Sequence, residues 1–405
     1  MALEAGRPSG AARAPAPAGP SEAERRGMRK ILVMIPAGET YDHDCVRWYR
    51  AHDVQRSIDS YHNIGDAFVH DSSLKLLDYD RVDVLEITKF DQKAIDRCNE
   101  EYACCFLRGS NYVNASMKWH QTRAILERLK IPVLALGIGA QAPASGPLEL
   151  SDETVGVLRA IADRCETLGV RGDYTAEVLW GIGVRNVRVI GCPTLFRRRD
   201  PSLRIDLPPL DEVERVAFTL RREVSATYAR DIQRYLSVQR ASILALAGRG
   251  ELGISAQGEV EEKKIVLGTP EQRAEALARL EQAGWLEGPD DPLRRLYETR
   301  LFYSDVVADY DSYVRRHDLV LGYRLHGNLI ALANGVPSVY FTYDSRTAEF
   351  VRTFAIPAFD VFGDAPFELE AYWDQALFER FNRAYVRGYR EMRTFLDENG
   401  KPNTN

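Results

Sequence analysis

Residues Asp318–Arg346 read DLVLGYRLHGNLIALANGVPSVYFTYDSR. An apolar run gives way to a polar junction, then to a helical pattern, a glycine stop at Gly335 and a second apolar run. Strand, tight loop, helix, glycine stop and strand together make one repeat of an α/β protein. Arg324 and His326 fall where the first strand yields to the helix. Two residues apart on an extended strand end, their side chains are expected to leave the sheet edge on the same side. Gly327 is expected to make the tight turn and Asn328 to cap the helix. Free N–H groups at a helix start favour a phosphate or carboxylate. Arg324 would add a bidentate donor for the same anion, and His326 a proton donor or acceptor. The competing reading has Arg324 and His326 do no more than tie down the loop.

The same alternation runs outward in both directions. KILVMIP (Lys30–Pro36), VDVLEI (Val82–Ile87), ACCFLRG (Ala103–Gly109) and IPVLALGIG (Ile131–Gly139) are continuous apolar strands, with helical patterns between them at Ile64–Leu77 and Met117–Leu129. Thr167–Arg171 and Val187–Gly191 follow. Strands apolar on both faces belong to a buried parallel sheet. Residues 197–214 are rich in Pro, Asp and Arg, which suggests a linker. The alternation then restarts at Val216–Leu220. Helical patterns at Ala226–Ala247 and Pro270–Ala283 follow, and Phe367–Leu396 closes the chain with an aromatic-rich helical pattern. The expected fold class is α/β, with two Rossmann-like doubly wound domains facing a cleft. The expected division is a disordered tail over 1–28, a first domain over 29–196, a linker over 197–214, a second domain over 215–365 and a helical end over 366–405. Ligands of such sheets sit at the carboxyl ends of the strands, here the cleft.

Other motifs point to the same cleft. VRGDYTAEVLWGIGV (Val170–Val184) echoes YRLHGNLIALANGV (Tyr323–Val336): an Arg at a strand end, a Gly, a helix and a second Gly. Any strand–helix unit shares this layout. Arg171 ends its strand, and Asp173 is expected to cap the next helix. Asn63 and Asp66 sit at the start of the first long helix. Gly139 and Gln141 lie in a Gly-rich junction, GIGAQ. Gly109-Ser110-Asn111 is a weaker case of the same thing. Asp344 is expected to cap a helix or to send Arg346 into the cleft.

Composition bounds the function. The chain has 405 residues, a formal charge of −6 and no basic run interleaved with aromatics, which disfavours nucleic acid as a partner. Its six cysteines lack CxxC spacing and read as reduced, mostly buried thiols of a cytoplasmic protein. No histidine spacing suits zinc. GxGxxG after the first strand, a P-loop and GxSxG are all missing, so no metal or cofactor is expected. Residues 1–27 lack the apolar core of a signal peptide, and Met28 is a second candidate start.

NIGDAF, GIGAQ, GVRGDYTAEVL, VRVIGCPTLF and GYRLHGNLIALANGVPSVYFTYDSR, in this order, resemble the polysaccharide pyruvyl transferase family from about Lys30 to Phe350. The resemblance implies a fold similar to GT-B glycosyltransferases. It implies transfer of pyruvate from phosphoenolpyruvate, the donor substrate, to a glycan or lipid-linked sugar as a pyruvate ketal. A lipid-linked acceptor would bring peripheral membrane association. Arg324, Leu325 and His326 match the family's donor-binding and catalytic stretch, and Arg171 matches a second arginine in the other domain. The expected catalytic pair is thus His326 with Arg324. The expected substrate-binding set is Arg171, Leu325, Gly327, Asn328, Asn63, Asp66, Gly139 and Gln141. Asp66 and Asp173 are candidate bases, and domain closure is expected to bring the two arginines together. The insertion Glu39–Tyr61 and the charged segment Glu251–Lys264 depart from the family pattern. The alternatives are a nucleotide-sugar glycosyltransferase on the same architecture and a non-catalytic partner in glycan assembly. An apolar acceptor could rest on Tyr372, Trp373, Phe378, Phe381 and Tyr385.

Overall fold

The structure, a computed structural model, describes residues 30–35, 63–85, 91–114, 120–142, 146–226 and 228–399. The tail, Met28 and the insertion Glu39–Tyr61 lie outside these residues. The first unit runs β1 (Lys30–Met34), α1 (Ile64–Lys75), β2 (Arg81–Val84), α2 (Gln92–Glu101), β3 (Cys104–Arg108), α3 (His120–Leu126), β4 (Val133–Leu136), α4 (Asp152–Asp163), β5 (Leu168–Val170), α5 (Asp173–Gly181), β6 (Val187–Val189) and α6 (Pro193–Phe196). The second runs β7 (Arg215–Thr219), α7 (Ile232–Ala247), β8 (Glu251–Ser255), α8 (Val260–Leu267), α9 (Pro270–Gln282), α10 (Pro292–Arg300), β9 (Leu301–Phe302), α11 (Val307–Val314), β10 (Leu319–Gly322), α12 (Leu325–Ala333), β11 (Ser338–Thr342), α13 (Ser345–Phe354) and β12 (Ala358–Asp360). A long last helix, α14 (Gln375–Glu398), follows.

Both sheets are parallel, and their strand orders matter for function. The first is β2-β1-β3-β4, and β5 joins it through the Ile138–Val170 bridge, with β6 beside β5. The second is β12-β11-β10-β7-β8-β9. Each order reverses once, between β1 and β3 and between β7 and β10. A crevice opens at the carboxyl ends of the strands at such a reversal. Arg108 ends β3 in one crevice, and Arg324 follows β10 in the other. This is the doubly wound, two-unit arrangement that the alternation of elements led us to expect, and the GT-B-like one that the resemblance implied.

Helix starts follow the capping residues. Asn63 accepts from the Gly65 amide at 3.1 Å and begins α1. Asp344 forms a capping box with Thr347 at the start of α13. Asp173 does not cap α5 as expected. That helix starts one residue earlier, on Asp173 itself, and its N-cap is Gly172, which has no side chain to give.

The two units share one core. Phe68 of α1, Leu195 and Phe196 of α6, and Leu325, Leu329 and Leu332 of α12 belong to a single apolar cluster with Phe381, Tyr385 and Phe395 of α14. Each fully buried large side chain contributes about 2 kcal/mol. Residues 197–214 are no slack tether. Arg197 is pinned between Asp71 of α1 (2.8 Å) and Asp311 of α11 (2.6 Å), and Ile205 is buried with its amide on Asn382 (2.8 Å). An interface of this kind resists hinge motion. Any closure of the two units would have to disrupt this shared core and the Arg197 ion pairs. The aromatics of the chain end also pack inward. Phe378, Phe381 and Tyr385 are fully buried, and the indole N–H of Trp373 donates to the Pro208 carbonyl at 2.9 Å. They offer no apolar docking platform.

Candidate active site

His326 sits in the first turn of α12, at the carboxyl end of β10. Its ring is 6% exposed. Nδ1 faces the first unit so closely that a methyl group on Gly65 would lie 2.9 Å from it. Nε2 is buried and has no hydrogen-bond partner among the described residues. Burial holds the imidazole pKa well below its ordinary value, and Arg171, Arg346, Arg108 and Arg324 add to the effect in that order. The start of a helix also lowers a histidine pKa. Here the charges that add to burial are the arginines of both units.

Four arginines from four strand ends thus act on one imidazole. Arg171 follows β5 and is 1% exposed. Its Nη1 donates to Asn111 Oδ1 at 2.6 Å, while Nε and Nη2 are buried with no partner among the described residues. Its aliphatic part lies over Gly139, where a Cβ would come within 2.7 Å of Cδ. Arg108 donates to one oxygen of Asp66 at 3.2 Å. Arg346, in the first turn of α13, donates to Tyr343 (2.8 Å) and Asp344 (3.2 Å) and leaves Nε without a partner. Asn111, Gln141 and Asp344 carry the network between the units: Asn111 Nδ2 donates to Gln141 Oε1 (2.7 Å), and Gln141 Nε2 to Asp344 Oδ2 (3.3 Å). Around it, Ser345 Oγ accepts from the Ala142 amide (2.8 Å), and Glu349 accepts from the Thr175 amide (2.6 Å) at the uncapped start of α5. A buried guanidinium without a carboxylate is unfavourable. Arg171 is thus a buried cation with two unfilled donors, and it acts on an imidazole whose Nε2 is also unfilled among the described residues.

A family model described as polysaccharide pyruvyl transferase matches residues 63–345, more than half of the chain. The chain belongs to the polysaccharide pyruvyl transferase family. It is accordingly a transferase. No curated protein matches the sequence significantly. Among solved structures, the chain resembles a Staphylococcus aureus MnaA–UDP co-structure (11% identity, 91% of this chain and 95% of that one, TM-score 0.43). It also resembles UDP-GlcNAc 2-epimerase from Methanocaldococcus jannaschii (12%, 90% and 98%, 0.44) and the glycosyltransferase SnogD from Streptomyces nogalater (13%, 90% and 95%, 0.36).

Within the matched span of this pyruvyl transferase family member, the expected residues divide into two groups. His326, Arg171, Asn63, Asp66, Gly139 and Gln141 come together around the cleft. Arg324 does not face it as a free clamp. Its Nε donates to the Leu220 carbonyl at 2.9 Å, and its Nη2 pairs with the fully buried Glu259. It braces the β7–β10 crevice from behind, as the competing reading of the loop allowed. The cause is that β10 ends at Gly322 (φ +130°) and α12 begins at Leu325, so Arg324 and His326 are not both on an extended strand. Leu325 turns into the shared core. Asn328 is no cap. It lies inside α12, accepts from Thr219 (2.9 Å) and donates to the Gly322 carbonyl (2.9 Å), tying helix to sheet. Gly327 makes no turn either; a Cβ there would lie 2.5 Å from the buried amide nitrogen of Gln257. Asp173 is exposed and lines a groove on the outer surface with Arg352 and Arg387, away from a base's position.

Sequence reasoning missed Arg108, Glu259 and Glu349. Arg108 carried the same signal as Arg171, a charge closing an apolar strand. Among the described residues, one carboxylate trio has ligand-like spacing, Glu223, Glu261 and Glu262. Arg222 fills it, at 2.6 Å from Glu261 and 2.8 Å from Glu262.

Proposed function

We propose that the chain transfers pyruvate from phosphoenolpyruvate to two hydroxyls of a sugar in a polysaccharide or glycolipid precursor. The products are a pyruvate ketal and inorganic phosphate. The observation that carries this reading is the pairing of Arg171, with two unfilled buried N–H donors, and His326, with an unfilled buried nitrogen. Phosphoenolpyruvate needs an anion clamp and a proton for the same small molecule.

The residues suit the steps. Arg171 and Arg346, from opposite units, would hold the donor's two anionic ends by charge-assisted bonds. Burial, with these charges adding to it, keeps His326 neutral while the site is empty. A bound phosphate and carboxylate would offset those charges and draw a proton onto the imidazole. Nε2 would then protonate C3 of the enol, and C2 would accept the first sugar hydroxyl. The Asp66 oxygen left free by Arg108 would take that hydroxyl's proton. Departure of phosphate and addition of the second hydroxyl, whose proton leaves with the phosphate, complete the ketal. The test is to compare the host's glycans with and without the gene by carbon and proton NMR. Loss of a pyruvate ketal methyl signal supports the reading; unchanged glycans with the gene deleted contradict it.

A further inference from the structure

The solvent face of α14 carries a pattern the cleft does not use. From Leu377 to Arg393 every exposed position is an arginine: Arg380, Arg383, Arg387, Arg390 and Arg393. Their spacing of three and four residues places them on an arc of roughly 140° and over about 20 Å of helix. The opposite face is spent on the shared core. Among the described residues, the guanidinium groups of Arg380, Arg383, Arg387 and Arg390 make no hydrogen bond or ion pair.

Three acids of the helix, Glu379, Glu391 and Glu398, are held by arginines outside the stripe. Glu379 is held by Arg204 at 2.5 Å. Glu391 (2.6 Å) and Glu398 (3.0 Å) are held by Arg188, an arginine of β6. Two further exposed arginines, Arg185 and Arg352, join Arg387 in the wall of a groove of about 690 Å³ beside the helix. That groove reaches Asp173, two residues from Arg171. The chain as a whole is acidic, with a formal charge of −6. A concentrated positive face on an acidic protein is a local device, not a by-product of composition.

We infer that the arginine face of α14 docks the protein on an anionic lipid surface. A row of arginines on the outer side of a firmly packed helix meets a flat layer of phosphate headgroups without inserting. Charge is complementary, and no exposed apolar side chain on this face would call for a protein partner. Nucleic acid fits less well, because no aromatic is interleaved with the arginines to stack on bases.

The test is sedimentation of the full chain with phosphatidylcholine vesicles, with and without phosphatidylglycerol. Binding is expected only with phosphatidylglycerol. It should be lost in about 1 M salt, where the Debye length is about 3 Å. Arg383→Gln/Arg387→Gln/Arg390→Gln should weaken partitioning about a hundredfold, at about fivefold per arginine. Arg123→Gln/Arg128→Gln/Arg295→Gln removes the same charge from other exposed sites and should keep binding. Exposed substitutions of this kind leave the melting temperature nearly unchanged. No binding to anionic vesicles, equal loss in both triple variants, or tighter binding to duplex DNA than to vesicles would overturn the inference. The assay contains no phosphoenolpyruvate, so its outcome is independent of the proposed activity.

Discussion

Replacing Arg171 by methionine should weaken donor binding while strengthening the fold. The side chain is 1% exposed, and Nε and Nη2 have no partner. Each hydrogen bond from a charged donor is worth about 1.5–3 kcal/mol. Losing two of them from the donor complex is therefore about 3–6 kcal/mol, or about a hundredfold to ten-thousandfold in affinity for phosphoenolpyruvate. The empty protein changes the other way. Methionine removes a buried cation that no carboxylate compensates, a gain of several kcal/mol at most. Against that stands the bond to Asn111 (2.6 Å), worth about 1 kcal/mol. The net is a stabilisation of about 1–3 kcal/mol, a rise of about 1–2 °C in melting temperature for each kcal/mol in a chain of this size. Arg171 is also the foremost charge depressing the His326 pKa, so that pKa should rise. Titration calorimetry, thermal melts and nitrogen-15 histidine NMR read the three effects separately. A lower melting temperature with unchanged donor affinity would refute the argument that Arg171 is an unpaired cation awaiting an anion.

Gly65→Ala places a methyl group 2.9 Å from His326 Nδ1. A displacement of the imidazole of this kind should lower kcat by about tenfold to a hundredfold with little change in donor Kd, as single-turnover kinetics would show. His326→Gln should keep donor binding and lower kcat about 10²–10⁴-fold. In the wild type, kcat/KM should lack a histidine limb near pH 6.5, because the free imidazole pKa lies well below that. The kcat profile should show one, since the bound anion raises it. Burial raises the Glu349 pKa from 4.5 to about 7, against the lowering pull of Thr175 and Arg171. The folded state then holds a proton that the unfolded state has released, so this contribution is complete below pH 4.5 and is lost as pH rises to about 7. Denaturant melts should show a fall of about 3 kcal/mol over that window, absent in Glu349→Gln.

The fold could be read from the sequence because its cue is local. Continuous apolar strands such as CCFLR and VLAL, separated by capped helices, admit little but a parallel sheet. Helix α8 went unread because its exposed and buried charges hide the period; Glu262 and Lys263 are buried in ion pairs and networks rather than in an apolar stripe. The site was legible one half at a time. His326 and Arg171 were found because each lies at a junction between a strand and a helix. Their meeting depends on core contacts between Phe68, Leu195 and Leu329, which lie far apart in the chain. Arg324 was misassigned because its partner, Glu259, is 65 residues away and leaves no trace in the local pattern. The Asn328 and Gly327 readings failed for a smaller reason. The chain turns at Gly322, five residues earlier than the glycine the motif displays.

Titration calorimetry of the full chain with phosphoenolpyruvate, and in parallel with a nucleotide sugar, bears most directly on the donor. The account predicts saturable binding of phosphoenolpyruvate that is lost in Arg171→Met and retained in His326→Gln. Tight binding of the nucleotide sugar with none of phosphoenolpyruvate would contradict it.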